Sequence, residues 1–326
     1  MQSIMPSARL SPPRAQRPWL LRCALLSIAG ALAACHPSAD TPQKPDDARF
    51  ADVEIVATEV RPNIFMLVGK GGNMGLFVGP EGALLIDDSY APLSQKILAT
   101  IGRLHKGAIK YVLNTHWHGD HTGSNEVMGE LAPIISHHNV RARLSTEQTL
   151  FGKVYPALPT VALPVVTYEK QLAIYLNDET IVVDHLARSH TDGDSIVRFE
   201  KANVVHLGDL FWSGTYPFVD LDHGGSVSGL IRSIGDILDT IDEKTVIIPG
   251  HGPLGNKADL EAYRAMLTDS SQAVCEALKT KMSADEMQQK NILGPWEKPW
   301  GQGYITQEKW LNTLVTSLTG QCESNQ

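Results

Sequence analysis

The segment N-T-H-W-H-G-D-H-T-G, residues 114–123, constrains this chain more than any other feature. It places His116, His118, Asp120 and His121 within six positions, directly after an apolar run that predicts a buried strand. In an extended segment alternate side chains share one side, so His116 and His118 can chelate one ion. Asp120 and His121 follow where the chain turns toward a helix, and they can face a second ion. The pattern predicts a metal site at the end of a strand.

The rest of the body alternates strand-like and helical patterns. Strand-like runs occur at 53–60, 64–68, 75–78, 83–87, 109–115, 171–176, 180–184, 195–199, 203–207 and 245–249. Helical patterns occur at 91–105, 122–131, about 226–241 and from 257 onward. The glycine-rich run at 69–75 predicts a hairpin turn, because a strand follows it and a phosphate-binding loop would open a helix. Such alternation indicates an α/β layered body.

The segment T-H-W-H-G-D-H resembles the signature of the metallo-β-lactamase-fold hydrolases. Three later motifs match that family in order, S-H-T-D-G-D (189–194), H-L-G-D-L-F (206–211) and I-P-G-H-G (248–252), and I-D-D before them resembles its first aspartate motif through Asp87. The resemblance implies an α/β fold, a four-layer αββα sandwich with a helical C-terminal extension. We expect the catalytic domain to cover residues 52–255 and the extension residues 256–326.

The resemblance also implies a ligand set for two ions. The first ion would be bound by His116, His118 and His190, the second by Asp120, His121 and His251, and Asp209 would bridge both. Imidazole and carboxylate ligands suit zinc, and an open coordination position leaves room for water. One ion would leave about half of these ligands unused, so we expect two Zn²⁺ ions per chain.

A bridged pair of ions lowers the pKa of bound water to about 7. The expected function is therefore a zinc-dependent hydrolase, in which a metal-bridged hydroxide cleaves the carbonyl bond of a small-molecule ester, lactone or thioester. Asp120 would orient the hydroxide and relay a proton. Family members that cleave thioesters, lactones and many esters carry Asp at the position of Asp209, whereas β-lactamases usually carry Cys or Ser, so β-lactam hydrolysis is the alternative.

Two other classes of function remain to be separated by experiment. Some relatives on this scaffold are mononuclear-iron oxidoreductases that oxidise persulfides, and they reuse positions of the type of His116, His118 and Asp209. A non-enzymatic zinc-binding protein is disfavoured, because structural zinc sites normally have four closed protein ligands whereas seven ligands around two ions indicate an open site.

Several aromatic side chains stand beside these motifs. Trp117, Phe211, Trp212 and Tyr216 either line an apolar substrate groove or pack the sheet against the next helix, with Tyr216 the first candidate to act on substrate through its hydroxyl. His223 follows the aromatic run and is a candidate to reach substrate. The other histidines of the body have no position in the family's ligand set and are interpreted as surface or packing residues; they are His105, His137, His138, His185 and His206.

The N-terminus has the character of an export signal. Residues 1–34 combine four arginines and no acidic residue with a twelve-residue run of small and apolar residues that is too short to span a bilayer. The letters L-A-A-C, ending at Cys35, resemble the bacterial lipoprotein signal; an ordinary signal peptide cut nearby is the alternative. We expect a periplasmic protein, lipid-anchored to a membrane at Cys35, with a flexible tether over residues 35–51.

Charge and cysteine content limit the partners. Without residues 1–34 the chain has 24 basic and 36 acidic residues, a net charge of −12, which disfavours nucleic acid as a partner. Cys275 and Cys322 are the cysteines outside the N-terminal segment, and in an oxidising compartment they either pair or stay free, since sequence does not give their separation. The oligomeric state and the role of the extension also stay open.

Overall fold

The computed structural model describes residues 48–322. The expected signal peptide, the lipidation site Cys35 and most of the expected tether lie outside the described residues. The last part of the tether range is packed against the body, because Ala48–Phe50 form a 3₁₀ helix and the Phe50 ring lies 5.3 Å from that of Tyr90. The folded body therefore begins a few residues before the expected boundary at residue 52.

Ten of the fourteen described strands coincide with the predicted runs, and four short strands between residues 134 and 168 were not predicted. In chain order they are β1 (Val56–Arg61), β2 (Ile64–Val68), β3 (Met74–Gly79), β4 (Gly82–Ile86), β5 (Ile109–Leu113), β6 (Ile134–His137), β7 (Gln148–Leu150), β8 (Lys153–Tyr155), β9 (Val166–Tyr168), β10 (Gln171–Leu176), β11 (Glu179–His185), β12 (Ser195–Phe199), β13 (Val204–His206) and β14 (Val246–Ile248). The turn predicted for the glycine-rich run is confirmed, since it joins the antiparallel pair β2 and β3.

The described helices are, in chain order, α1 (Ser94–Leu104), α2 (Gly119–Thr122), α3 (Asn125–Met128), α4 (His138–Leu144), α5 (Val227–Leu238), α6 (Lys257–Lys279), α7 (Ala284–Gln289), α8 (Gly294–Trp300) and α9 (Gln307–Leu318). The helix predicted over 122–131 is wrong in its detail. It is two single turns, because the Ser124 N–H donates to Ser89 O and Asp88 Oδ1 instead of continuing the helical ladder. None of the helices in the described part of the chain has the length and apolar character that a bilayer-crossing helix requires.

The strands form two large sheets and one hairpin. The first sheet has the order β1-β2-β3-β4-β5-β6-β9, antiparallel as far as β4 and parallel from there on. The second has the order β10-β11-β12-β13-β14, with only the β13–β14 pair parallel. The small hairpin pairs β7 with β8.

Three apolar cores separate four layers. One core lies between the two sheets and includes Leu84 and Ile86 from the first and Val183 and Phe199 from the second. The outer face of the first sheet packs against α1 and α3, and that of the second sheet packs against α5, α6 and α9. The expected αββα sandwich with a helical C-terminal extension is confirmed.

The helical extension is fastened to the body. Its helix α6 begins with a complete capping box in which Asn256 and Asp259 exchange side-chain to backbone hydrogen bonds. Cys275 on α6 forms a disulfide with Cys322, just beyond α9, which resolves the alternative that the sequence left open. Trp310 of α9 is fully buried in the core that α5 and α6 share. The extension is therefore part of the folded body.

Candidate metal centre

Four of the predicted ligands converge at one end of the sandwich. His116 and His118 follow β5, His190 follows β11 and Asp209 follows β13, and one ligand atom of each lies within 4.8 Å of the others. His190 Nε2 is 2.9 Å from His118 Nδ1 and 3.4 Å from Asp209 Oδ2, and His116 Nε2 is 3.7 Å from Asp209 Oδ2. Ligands around tetrahedral zinc stand about 3.3 Å apart, so this first cluster has the right size.

The other three ligands form a second cluster beside the first. His251 Nε2 lies 3.4 Å and His121 Nε2 3.8 Å from Asp120 Oδ2. The same two nitrogens lie 3.3 and 3.0 Å from Asp209 Oδ1, so Asp209 directs one carboxylate oxygen to each cluster. The side chains of Asp120 and His251 are 19% and 20% exposed whereas the other ligands are buried, so solvent reaches the centre from this side.

The polar atoms of the two clusters are those that an ion would satisfy. His116 Nε2, His121 Nε2, His251 Nε2 and Asp209 Oδ1 are buried without a hydrogen-bond partner, although buried polar atoms normally have one. Burial lowers the pKa of His116 and brings that of His190 to about 4, which keeps both imidazoles neutral as metal binding requires. None of these ligands lines the two surface cavities of 740 and 290 Å³. The site is therefore identified by the convergence of the ligands and not by a cavity.

Asp87 supports the second cluster from behind. Its Oδ2 is 2.7 Å from His121 Nδ1, and its two oxygens accept hydrogen bonds from the N–H and the hydroxyl of Thr115. Asp87 has a φ of 60°, in the left-handed region that residues other than glycine rarely adopt. A strained backbone of this kind persists only where surrounding contacts fix it. The carboxylate therefore orients His121 so that Nε2 faces the cluster.

The family model described as the metallo-beta-lactamase superfamily matches residues 67–251. The chain belongs to the metallo-β-lactamase superfamily. Its curated relatives include an uncharacterized protein of Mycobacterium leprae (strain TN), 32% identical over 201 residues that cover 58% of this chain and 86% of that protein. They also include two proteins named hydroxyacylglutathione hydrolase. One, from Anaeromyxobacter dehalogenans, is 25% identical over 56% of this chain and 62% of its own length, and the other, from Polaromonas sp., is 29% identical over 53% and 59%.

Solved structures show the same superfamily fold. A metallo-beta-lactamase from Pontibacter korlensis aligns with a TM-score of 0.54 at 18% identity and covers 66% of this chain and 99% of its own. A double mutant of the sec-alkyl sulfatase PisA1 aligns with a TM-score of 0.63 at 15% identity and covers 83% of this chain and 51% of its own. These structures show the fold, and the family match together with the hydrolase relatives confirms the expectation of a metal-dependent hydrolase.

Asp220 supports the metal centre, although the sequence did not single it out as a candidate. The Nε2–H of His118 donates to Asp220 Oδ2 at 2.9 Å, and His223 Nδ1 lies 2.8 Å from Asp220 Oδ1. Asp220 is 2% exposed, and this burial raises the pKa of its carboxyl. The hydrogen bond from His118 and the other contacts with His118 and His223 outweigh burial, so the pKa is lowered overall. The available signal was D-L-D-H, in which Asp220 precedes His223 by three residues.

Two glycines allow loops to pack closely around the metal ligands His121 and Asp209. A Cβ on Gly72, in the turn between β2 and β3, would lie 2.3 Å from His121 Cε1. A Cβ on Gly250 would lie 2.1 Å from Asp209 Oδ1. Both distances are far below van der Waals contact, so only glycine lets the backbone approach the ligands this closely.

The aromatic candidates divide into two groups. The Trp117 ring lies 4.7 Å from those of His118 and His223, and the Trp212 ring lies 4.1 Å from that of His251, so both indoles touch the ligand shell. The side chains of Phe211 and Tyr216 instead pack in the core, against Tyr263 and Trp310 at ring distances of 5.2 and 5.8 Å. Phe211 and Tyr216 are therefore packing residues, because the extension encloses them. The expectation that the Tyr216 hydroxyl acts on substrate is wrong, because this side chain is buried.

The histidines that have no position in the ligand set pack within the body. His137 ends β6 and His185 ends β11, and their rings stack at 3.6 Å with an interplanar angle of 7°. His138 lies against His137 at 4.1 Å, and His206 is fully buried in β13. These residues pack the body, and the stacked pair joins the two sheets.

Proposed function

We propose that this protein is a hydrolase that binds two zinc ions and cleaves the carbonyl bond of a thioester, ester or lactone. The observation that carries the proposal is the position of Asp209, whose two carboxylate oxygens face one ligand cluster each. Zinc at these positions would supply a nucleophilic water at neutral pH and polarise the scissile carbonyl. The chain offers seven ligands for this purpose, which a single ion would not use.

The protein's own residues divide the remaining work. His116, His118 and His190 present their ligand nitrogens from a buried wall, and the carbonyl oxygen of Phe218 fixes the ring of His190 by accepting from its Nδ1 at 2.8 Å. Asp120 is the one carboxylate ligand on the open side, 19% exposed. It is therefore placed to accept a proton from the attacking water and to deliver it to the leaving group.

Acyl thioesters and esters are favoured over β-lactams as substrates. Asp209 occupies the bridging position where family members that cleave thioesters, lactones and many esters carry aspartate. Two relatives at 25% and 29% identity are named hydroxyacylglutathione hydrolase, which supports a thioester substrate. The fold similarity to β-lactamases does not separate the two substrates, because both reactions use the same scaffold.

The test compares three substrates on one zinc-loaded preparation that lacks residues 1–35. A hydroxyacyl thioester is followed by thiol release, a γ-lactone by acid release and nitrocefin by absorbance, each with and without a chelator. Chelator-sensitive cleavage of the thioester or lactone with no turnover of nitrocefin supports the proposal. Nitrocefin turnover well above the others would establish β-lactam hydrolysis instead.

Metal content and one variant complete the test. Elemental analysis should find about two zinc ions per chain; one iron with oxygen uptake would point to the persulfide-oxidising class. Asp120→Asn should reduce turnover by roughly a hundredfold or more while some metal remains bound. Asp239→Asn, an exposed residue at the end of α5, is the matched control. Full activity in Asp120→Asn would remove the role assigned to Asp120.

We also propose that the protein is exported and lipid-anchored at Cys35. The apolar run over 23–34 and the letters L-A-A-C support this proposal. Incorporation of labelled palmitate into the wild-type chain, and its loss in Cys35→Ser, is the expected result. A chain that incorporates no label and fractionates with soluble cytoplasmic protein would contradict it.

A further inference from the structure

Phe151 occupies a position that local folding does not favour. With Gly152 it forms the two-residue turn between β7 and β8, and the two residues have φ values of 52° and 71°. Turns with two positive φ values favour Asn-Gly, and a bulky residue is rare there. Phe151 is also 62% exposed. Both its backbone and its solvation are unfavourable, which indicates that the ring serves a purpose other than stability.

The Phe151 ring lies next to a ring that contacts the first ligand cluster. It lies 4.7 Å from the ring of Phe218. The Phe218 ring lies 5.6 Å from that of His118 and 5.7 Å from that of His190. A single aromatic ring therefore separates the tip of the hairpin from two ligands of the metal centre.

The C-terminal extension contributes a second exposed ring. Tyr304, between α8 and α9, is 61% exposed, and its ring centroid lies 6.3 Å from that of Phe151. The segment that carries Tyr304 is held against the loop after Asp209, because Trp300 O accepts from the Tyr216 N–H at 2.9 Å. The extension thus reaches the surroundings of the metal centre.

The three rings follow one another in series. The Phe218 ring lies beside two histidines of the first cluster, the Phe151 ring lies beside Phe218, and the Tyr304 ring lies beside Phe151. The rings therefore form an arc that begins at the metal ligands.

We propose that this arc, the aromatic rim made by Phe151, Phe218 and Tyr304, binds an aromatic acyl group of the substrate. The inference rests on the proposed hydrolase function and names its substrate class. Exposed aromatic side chains grouped on one surface mark a binding site, and offset or edge-to-face contacts between rings favour an aromatic partner. The acyl group would lie along the rim with its carbonyl carbon at the metal centre. The extension then acts as part of the substrate site through Tyr304.

The experiment uses the full zinc-loaded chain and two thioesters of N-acetylcysteamine, one phenylacetyl and one acetyl. Phe151→Asn restores the favoured Asn-Gly turn, so its melting temperature should be unchanged or higher. Its kcat/KM for the phenylacetyl thioester should fall by about threefold to tenfold, the contribution of one aromatic contact, while that for the acetyl thioester stays within about twofold. Tyr304→Ala should show the same selective loss. Tyr175→Ala, an aromatic residue 77% exposed on β10, is the control that should change neither.

A binding measurement separates this inference from the proposed function. Calorimetric titration with phenylacetate and with acetate needs no turnover, so it tests the rim even if neither thioester is cleaved. Tighter binding of phenylacetate than of acetate, weakened in Phe151→Asn but not in Tyr175→Ala, supports the rim. Two results would overturn the inference and leave the hydrolase proposal standing. One is an equal loss of kcat/KM for both thioesters in Phe151→Asn. The other is an affinity for phenylacetate that Phe151→Asn leaves unchanged.

Discussion

Replacement of Asp220 by asparagine should weaken metal binding without unfolding the protein. Asp220 Oδ2 lies 2.9 Å from His118 Nε2, and His223 Nδ1 lies 2.8 Å from both carboxylate oxygens. An amide of the same shape removes the negative charge and places an N–H₂ group where one of these two acceptors stood. The loss of one charge-assisted hydrogen bond to a buried group corresponds to about 1.5–3 kcal/mol.

Part of that free energy orients His118 so that Nδ1 faces the first cluster. We therefore expect the zinc affinity of Asp220→Asn to fall by about tenfold to a hundredfold, or about 1.4–2.7 kcal/mol, the range that supporting carboxylates of metal-binding histidines produce. Competition with a chromogenic chelator measures both binding steps. Asp222→Asn, which makes the same charge change at an exposed neighbour, is the control. If Asp220→Asn folds normally and binds both equivalents within about twofold of the wild type, the orienting role of Asp220 is refuted.

Three other substitutions or conditions test separate parts of the structure. Elemental analysis of the Gly250→Ala protein should show that most of the metal is lost, because the added Cβ would lie 2.1 Å from Asp209 Oδ1. Gly102→Ala is the control that should keep its metal, because there is open space around Gly102. Equal metal content in the two variants would contradict the packing argument. Acid should destabilise the body through His137, whose pKa is lowered to about 3 by burial first and by His185 and His138 second. The unfolded chain takes up this proton near pH 6.5, so stability is lost as the pH falls below that value, by about 2 kcal/mol between pH 7 and pH 5. Denaturant unfolding of the metal-free protein should show a shallower pH dependence in His137→Gln, and identical slopes would refute this. Reduction of the Cys275–Cys322 disulfide, with a sequence separation of 47, should lower the free energy of unfolding by up to about 4 kcal/mol; an unchanged denaturation midpoint in the double serine variant would show that the bond adds nothing.

The ligands could be predicted from the sequence by two routes, the position of His116 and His118 after a predicted strand and the resemblance of the later motifs to a known family. His116 and His118 are fixed by the alternation of an extended segment, and Asp209 and His251 come after short apolar runs that are buried strands in the structure. The order of these motifs along the chain then identified the sandwich. Short motifs sufficed for the ligand set because the family's motifs occur in the same order along this chain.

The surroundings of the ligands could not be predicted in the same way. The contact of Asp220 with His118 joins residues 102 positions apart, and no local period signals it. Tyr216 follows Asp209 closely in sequence, yet the extension covers it with Trp310, nearly a hundred residues later. The rim around Phe151 has the same character, since it assembles side chains from segments that only the tertiary fold brings together.

The two ligand clusters have a mechanical consequence. His116, His118, Asp120 and His121 extend from the first sheet, whereas His190, Asp209 and His251 extend from the second. Any ion held by both groups is a cross-link between the two halves of the sandwich, and its binding free energy adds to the apolar contacts that keep the halves together. Occupancy of the centre would therefore add to the free energy of unfolding, so metal supply would affect the stability of the protein as well as its activity.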